Sequence, residues 1–281
     1  MRTTADVRAA LGGAGSVALV PTMGALHDGH RALLRAARAS AEAVVMSLFV
    51  NPIQFGAGED FAAYPRDEDA DFAAAEAEGV DVVFAPEVET MYPRGFVTSV
   101  DPGALGDVLC GRSRPGHFRG VATVVARLLG LVRPHLALFG EKDWQQLVVI
   151  RRMTSDLALP YEIRGVPTVR DPDGLALSSR NAYLRAVDRP VAASIPAGLF
   201  AARAAYGAGE RDAGRLITAV RDRLLAAPEY VELRGRDDLG PYHPDRPALL
   251  ALAARIGPTR LIDNVQLVPE PEPTPDPRSP T

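Results

Sequence analysis

Lysine is almost missing from this chain. Of 31 basic residues only Lys142 is a lysine, and every other one is arginine. Arginine does not replace lysine where a compact point charge must track a phosphate, so the exception marks a candidate site. Cysteine is as scarce. Cys110 stands alone, which excludes an internal disulfide and fits a reducing cytoplasm. Its apolar setting, Val108-Leu109-Cys110, offers no base partner, so it reads as a small buried residue and not a nucleophile. No apolar run is long enough to span a bilayer, and no basic region followed by an apolar core reads as a signal. The net charge of −4 gives no general attraction to nucleic acid or anionic membrane, so any basic site is local and small-molecule partners are expected. The P-loop pattern G-x-x-x-x-G-K-[ST] is absent, and Gly12-Gly13-Ala14-Gly15 precedes the first strand, where a dinucleotide fingerprint would have to follow it. Glutamine is rare too, and Gln54, Gln145 and Gln146 all fall in segments singled out below.

What is present is ample apolar material: 281 residues, 47% of them hydrophobic, enough for a large core and two domains. From Ser16 to Pro167, strand-like runs (Val17–Val20, Val44–Val50, Val80–Phe84, Leu136–Phe139) alternate with helix-like stretches (Arg31–Arg38, Asp67–Glu78, Val121–Val132, Asp143–Leu157). That alternation predicts an α/β fold with a parallel sheet covered on both faces, its ligands at the carboxyl ends of the strands. From Thr168 the regularity stops. The turn Asp171-Pro172-Asp173-Gly174, an Ala-rich helical region (Val191–Ala227) and three strands (Tyr230–Leu233, Leu249–Ala254, Thr259–Leu267) read as a smaller α+β domain. The expected boundaries are 1–167, 168–268 and a disordered Pro-rich tail, 269–281.

The organising stretch is Pro21-Thr22-Met23-Gly24-Ala25-Leu26-His27-Asp28-Gly29-His30. It joins a buried strand to a helix, and a helix N-terminus attracts phosphate. Gly24 and Gly29 read as positions where a ligand approaches the backbone. With a helix starting near Asp28, His27 and His30 lie one turn apart and face one ligand. Three readings stay open: surface or capping histidines, a zinc pair lacking a third ligand, or two imidazoles beside a nucleotide triphosphate.

Other segments carry chemistry in the same positions after strands. In Asn51-Pro52-Ile53-Gln54-Phe55 the side-chain amides suit a hydroxy acid, although the string is also an ordinary Asn-Pro turn. In Phe139-Gly140-Glu141-Lys142-Asp143-Trp144-Gln145-Gln146, Lys142 is placed for phosphate. Asp143 there serves as a helix cap or a ribose acceptor, and Gln146 falls nearly one turn beyond Lys142. Ser178-Ser179-Arg180-Asn181 is a polar loop or a phosphate clamp. Gly111-Arg112-Ser113-Arg114-Pro115-Gly116-His117-Phe118-Arg119-Gly120-Val121 is a basic Gly/Pro loop entering a helix, a lid or the wall of a second-substrate site.

The string PTMGALHDGH resembles the HIGH signature of the nucleotidyltransferase superfamily and, at full length, the first motif of the pantothenate synthetase family. NPxQF, RPGHFxGV, GEKDxQQL (with Trp144 at its aromatic position) and SSRN match that family's motifs, and Tyr230–Arg234 and Arg260–Asn264 extend the likeness to the last strand. The resemblance implies a Rossmann-like doubly wound parallel sheet with a small C-terminal lid domain. It also implies ATP-dependent condensation of pantoate with β-alanine through a pantoyl adenylate. His27, His30 and Lys142 would be catalytic. ATP would meet Met23, Gly24, His27, His30, Gly140, Glu141, Lys142, Asp143, Val169, Leu177, Ser178, Ser179 and Arg180. Asn51, Gln54, Gln146 and Met23 would hold pantoate and β-alanine. Mg²⁺ is expected through the ATP phosphates, with no protein ligand assigned, and a cytoplasmic homodimer is expected. His30 would be protonated or donating, and no general base for β-alanine is identified. Two departures from the family pattern stand out: an alanine inside an acidic pair, which weakens any metal role for Asp69 or Asp71, and Pro190. The alternatives are a related nucleotidyltransferase acting on another small acceptor and a non-catalytic nucleotide-binding regulator.

Overall fold

The computed structural model describes residues 1–59 and 61–269, so the expected tail lies, apart from Pro269, outside the described residues. In chain order, α1 (Thr4–Leu11) leads into β1 (Val17–Thr22), α2 (Asp28–Arg38), β2 (Ala43–Leu48), α3 (Glu68–Ala77) and β3 (Val82–Phe84). Two single turns, α4 (Val88–Met91) and α5 (Cys110–Ser113), precede α6 (His117–Val132), β4 (Leu136–Gly140), α7 (Trp144–Asp156) and β5 (Glu162–Val166). The strands form one parallel sheet ordered β3-β2-β1-β4-β5.

That order sets the site. From β1 the chain first builds outward through β2 and β3, then crosses to the other flank of β1 to form β4. The carboxyl ends of β1 and β4 therefore border the crevice where the strand order reverses, the usual ligand position in such sheets. Both faces of the sheet are buried, because successive side chains alternate. Val17 and Leu19 join Val121, Val125, Leu129, Leu147 and Ile150 of α6 and α7. Ala18 and Val20 join Leu33, Leu34 and Ala37 of α2 on the opposite face. Each leucine wholly buried this way contributes about 1.5–3 kcal/mol relative to exposure.

The rest of the chain adds α8 (Arg189–Gly207), α9 (Ala213–Arg221) and an antiparallel sheet of β6 (Pro228–Gly235), β7 (Ala248–Ile256) and β8 (Thr259–Leu267), with β7 central. Leu250 and Leu252 of β7 pack with Ile195 and Leu199 of α8 and Leu216 of α9. Leu249 and Ala251, on the other face, enter the core of the parallel unit. The second unit is thus packed on the first through β7.

Three features escaped the sequence reading. α1 precedes the alternating pattern. β5 is an edge strand whose outward Glu162 and Arg164 pair at 2.7 Å, charges that break the apolar run expected of a parallel strand. Pro196 lies inside α8, whereas Pro190 falls in its first turn, where a missing N–H is harmless.

Candidate active site

His27 is the N-cap of α2, so the bland reading of a capping histidine is correct for it. Its Nδ1 accepts the Gly29 N–H at 3.1 Å, and His30 Nδ1 accepts the His27 N–H at 3.3 Å. The two imidazoles replace the side chains of a capping box, their ring centroids 4.1 Å apart. Burial, then the Lys142 charge, pulls His27 down to about 4. Burial, then His27 and Lys142, pulls His30 to about 3. Both rings are neutral at pH 7. With Nδ1 accepting, each carries its proton on Nε2 and so has a donor to offer, and both residues line the cavity described below.

Both glycines are required by the protein's own packing, and Gly29 also lines the cavity described below. A Cβ on Gly29 would lie 2.8 Å from the His27 ring. Gly24 has φ +88°, and a Cβ there would meet Asp71 Oδ2 at 2.6 Å. Asp71, buried on α3, accepts the N–H groups of Ala25 (3.0 Å) and Leu26 (2.8 Å) and so fixes the approach to His27. Both its oxygens are used in holding that loop.

Behind β2, Asn51 and Gln54 form a chain of amides. Tyr92 donates to Asn51 Oδ1 at 2.7 Å; Asn51 Nδ2 donates to Gln54 Oε1 (2.9 Å) and to the Gly120 carbonyl (3.2 Å). Gln54 Nε2 reaches Met23 Sδ at 3.2 Å. Tyr92 therefore fixes which way the Asn51 amide faces. It carries no motif that would have singled it out.

After β4, Lys142 lies in a tight turn whose backbone is held from the second unit. Asn264 Nδ2 on β8 donates to the carbonyls of Glu141 (3.0 Å) and Lys142 (2.8 Å). Lys142 is mostly buried, with Asp143 3.8 Å away. Asp143 stands at the N-cap of α7 without a side-chain capping bond, so its carboxylate remains on the rim of the cavity. The Glu141 side chain turns instead to Gln266 at 3.1 Å, and burial raises its pKa. Gln145 is structural: it accepts from Cys110 N and donates to the carbonyls of Leu105 and Val108. Cys110 is buried as expected, its Sγ 3.2 Å from the Tyr230 hydroxyl.

Ser178 caps the turn Ser179–Tyr183, accepting from Arg180 N at 3.3 Å. Ser179 Oγ lies 3.3 Å from the Tyr64 hydroxyl, and the Arg180 guanidinium sits over the Tyr64 ring. Just upstream, Arg170 binds buried Asp263 of β8 through two contacts, 2.6 and 2.9 Å, beside Asn264. One strand of the second unit thus anchors two of the segments that carry site residues.

A cavity of about 240 Å³ gathers Met23, His27, His30, Asn51, Gln54, Gly140, Lys142, Asp143, Gln146, Val169, Leu177, Ser178, Ser179 and Arg180 in its walls. Gly24 and Glu141, both expected at ATP, are not among its lining residues; the Glu141 side chain is turned to Gln266, and Gly24 lies against Asp71, where a Cβ would clash. A second cavity of about 570 Å³ adjoins it and shares Arg114, His117, Lys142 and Gln146.

The sequence profile of the Pantoate-beta-alanine ligase family matches residues 1–266. The chain belongs to that family. With membership goes an enzyme activity, the ligation of pantoate to β-alanine. The Pantothenate synthetase of Geobacter sulfurreducens is 52% identical over 257 residues, covering 90% of this chain and 91% of the relative. That of Mycobacterium sp. strain KMS is 54% identical, covering 94% and 85%. Among solved structures, Pantothenate synthetase from Thermus thermophilus superposes with a TM-score of 0.89 at 46% identity, covering 96% of this chain and 99% of that one. Pantoate-beta-alanine ligase from Francisella tularensis, complexed with beta-gamma ATP and beta-alanine, gives 0.78 at 31% identity, covering 94% and 96%. Among the described residues no helix is long and apolar enough to cross a membrane.

Proposed function

We propose that the 240 Å³ cavity is where this ligase joins pantoate to ATP. The supporting observation is convergence: two Nε2–H donors, the lone ammonium and the Ser178–Arg180 turn line one space beside the reversal of strand order. A pantoate carboxylate oxygen attacks the α-phosphorus, and the bond to the departing pyrophosphate breaks. Two anions must meet, so catalysis is positioning and charge neutralisation. His27 and His30, neutral, donate from Nε2 to phosphate oxygens at the N-terminus of α2. Lys142, Ser178, Ser179 and Arg180 hold the pyrophosphate. Gln54 and Gln146 orient pantoate, with Asn51 and Tyr92 fixing Gln54. Val169, Leu177, Gly140 and Met23 complete the nucleotide walls.

Mg²⁺ would neutralise further phosphate charge. Among the described residues no three His, Cys, Asp or Glu side chains gather as a metal site. The carboxylate available on this rim is Asp143, so the ion would be held mainly by phosphate oxygens and water. The β-alanine amine then attacks the acyl carbon and AMP leaves. We assign residues 1–167 to nucleotide and pantoate binding. Residues 168–268 cover the acyl adenylate against water. A cytoplasmic homodimer is the state that the family likeness implies, and sedimentation checks the dimer.

The deciding measurement is pyrophosphate release from ATP without β-alanine. The reading requires release that depends on pantoate, about one equivalent per site. Release that ignores pantoate would defeat it and favour a nucleotidyltransferase acting on another acceptor.

A further inference from the structure

We propose that Arg114 binds the carboxylate of β-alanine, the second substrate, with Glu59 and His117 aiming its guanidinium from either side. The inference rests on the reading that adenylate forms in the smaller cavity. The larger cavity is then the route by which a second substrate reaches it, and Arg114 stands in the wall of both.

The placement is fixed by a short relay. His117 Nδ1 donates to the backbone carbonyl of Gln54 at 2.8 Å, and its Nε2 accepts Arg114 Nη1 at 3.0 Å. The guanidinium is thus one imidazole away from the residue that orients pantoate, whose acyl carbon is the point of attack. On its other side, Arg114 Nε and Nη2 each meet a Glu59 oxygen at 2.6 Å. Burial opposes the Glu59 charge, but the hydrogen bonds and charge of Arg114 prevail and hold it at about 2. Burial, then the Arg114 charge, brings His117 to about 4, so the ring is neutral and able to accept at Nε2. A guanidinium has five N–H donors and these contacts use three, leaving one on each Nη to meet a carboxylate. The side chain arrives pre-aimed, which lowers the entropy lost on binding.

The other cations near the two cavities are committed. Lys142 and Arg180 are assigned to pyrophosphate. Arg255 and Arg260 share Glu229, Arg260 also meets Ser113 and Cys110, and Arg170 is bound to Asp263. β-Alanine carries its carboxylate two methylenes from its nitrogen. Anchored at Arg114, it presents the amine toward the pantoyl carbonyl. The new N–C bond forms, the C–O bond to AMP breaks with its electron pair going to the phosphate oxygen, and the protons shed by nitrogen pass to water.

The test compares β-alanine with propylamine, which has the amine and no carboxylate. The unsubstituted enzyme should prefer β-alanine in kcat/KM. Arg114→Ala should lose about 10- to 100-fold of that preference, through KM for β-alanine, with kcat/KM for propylamine falling much less. Arg114→Lys, which keeps the charge and loses the fork, should fall between them and serves if the alanine variant does not fold. An unchanged preference in either variant overturns the proposal, since a merely structural role would slow both amines alike. Loss of pyrophosphate release without β-alanine, as deep as the loss of ligation, would place Arg114 in adenylation and overturn it too. Absence of pantoate-dependent release in the unsubstituted enzyme is a different result, and it defeats the reading of the smaller cavity.

Discussion

The two sheets of this enzyme do different work. The parallel sheet presents chemistry at strand ends: imidazoles after β1, amides after β2, an ammonium after β4. The antiparallel sheet lends no such group to the 240 Å³ cavity, yet its β8 grips the backbone that carries Lys142 and, through Asp263, the segment leading to Ser178. A parallel strand ends in a loop, where a side chain is free to face a ligand. An antiparallel strand packed across the crevice has its side chains directed at the other unit, where they make contacts of support. Chemistry and support therefore separate by sheet, and each can be removed alone.

The largest effect is expected on the chemical side. Lys142→Ala takes away the ammonium from the phosphates and should slow pantoate-dependent adenylation about 10²–10³-fold, the scale of losing one preorganised charge-stabilising group. Lys142 spends its side chain on the cavity and not on the core, so the melting temperature should stay within a degree or two. A large fall in melting temperature would erase the distinction between the sheets. On the supporting side, Asn264→Ala leaves two partly buried carbonyls without their donor, a loss of about 1–3 kcal/mol. Adenylation should slow about tenfold and the melting temperature should drop by several degrees, 1 kcal/mol being worth about 2–4 °C at this size. Full adenylation in a destabilised Asn264→Ala would show that β8 holds the fold and not the site.

The same division explains what the sequence disclosed. Apolar runs of four to seven residues between helical stretches gave the parallel sheet and its order of elements, because strands buried on both faces are written in Val, Leu and Ala. The edge strand β5, with Glu162 and Arg164 outward, follows a different rule and was missed. His27, His30, Gln54 and Lys142 were legible because each directly follows an apolar run. Tyr92, Asp71, Asn264 and the Glu59–Arg114 pair were not, since their partners lie 41, 46, 122 and 55 residues away in the chain. No local pattern encodes a contact of that separation. Gly24 and Gly29 were legible as special positions, but the reason was not: the neighbours that exclude a Cβ are Asp71 and His27, known only after folding.

A smaller change probes support within the parallel unit itself. Tyr92→Phe removes the donor that fixes the Asn51 amide, and a single hydrogen bond of about 1 kcal/mol corresponds to a fivefold rise in KM for pantoate. KM for ATP should stay put, because the amide chain ends at Gln54 and Met23. A rise shared by both substrates would show that Tyr92 holds the whole crevice and not one pocket.

The pH profile tests charge and not contact, and it separates the two possible forms of the histidines. His27 and His30 lie at about 4 and about 3 in the folded chain, against about 6.5 when unfolded. Between those limits the unfolded chain binds more protons, so stability rises with pH through the window and is lost as pH falls from about 6.5 toward 4. Above it the two rings contribute no pH dependence. His30→Gln should accordingly show a smaller fall in melting temperature from pH 7 to pH 5 than the unsubstituted enzyme. For catalysis, kcat/KM reports ionisations of the free enzyme. If the neutral Nε2–H is the working donor, whatever inflection the profile shows near 6.5 arises elsewhere and survives in His30→Gln. An inflection that disappears with the ring would mean that an imidazolium faces the phosphates, and that the backbone N–H groups on both Nδ1 atoms give way when ATP binds.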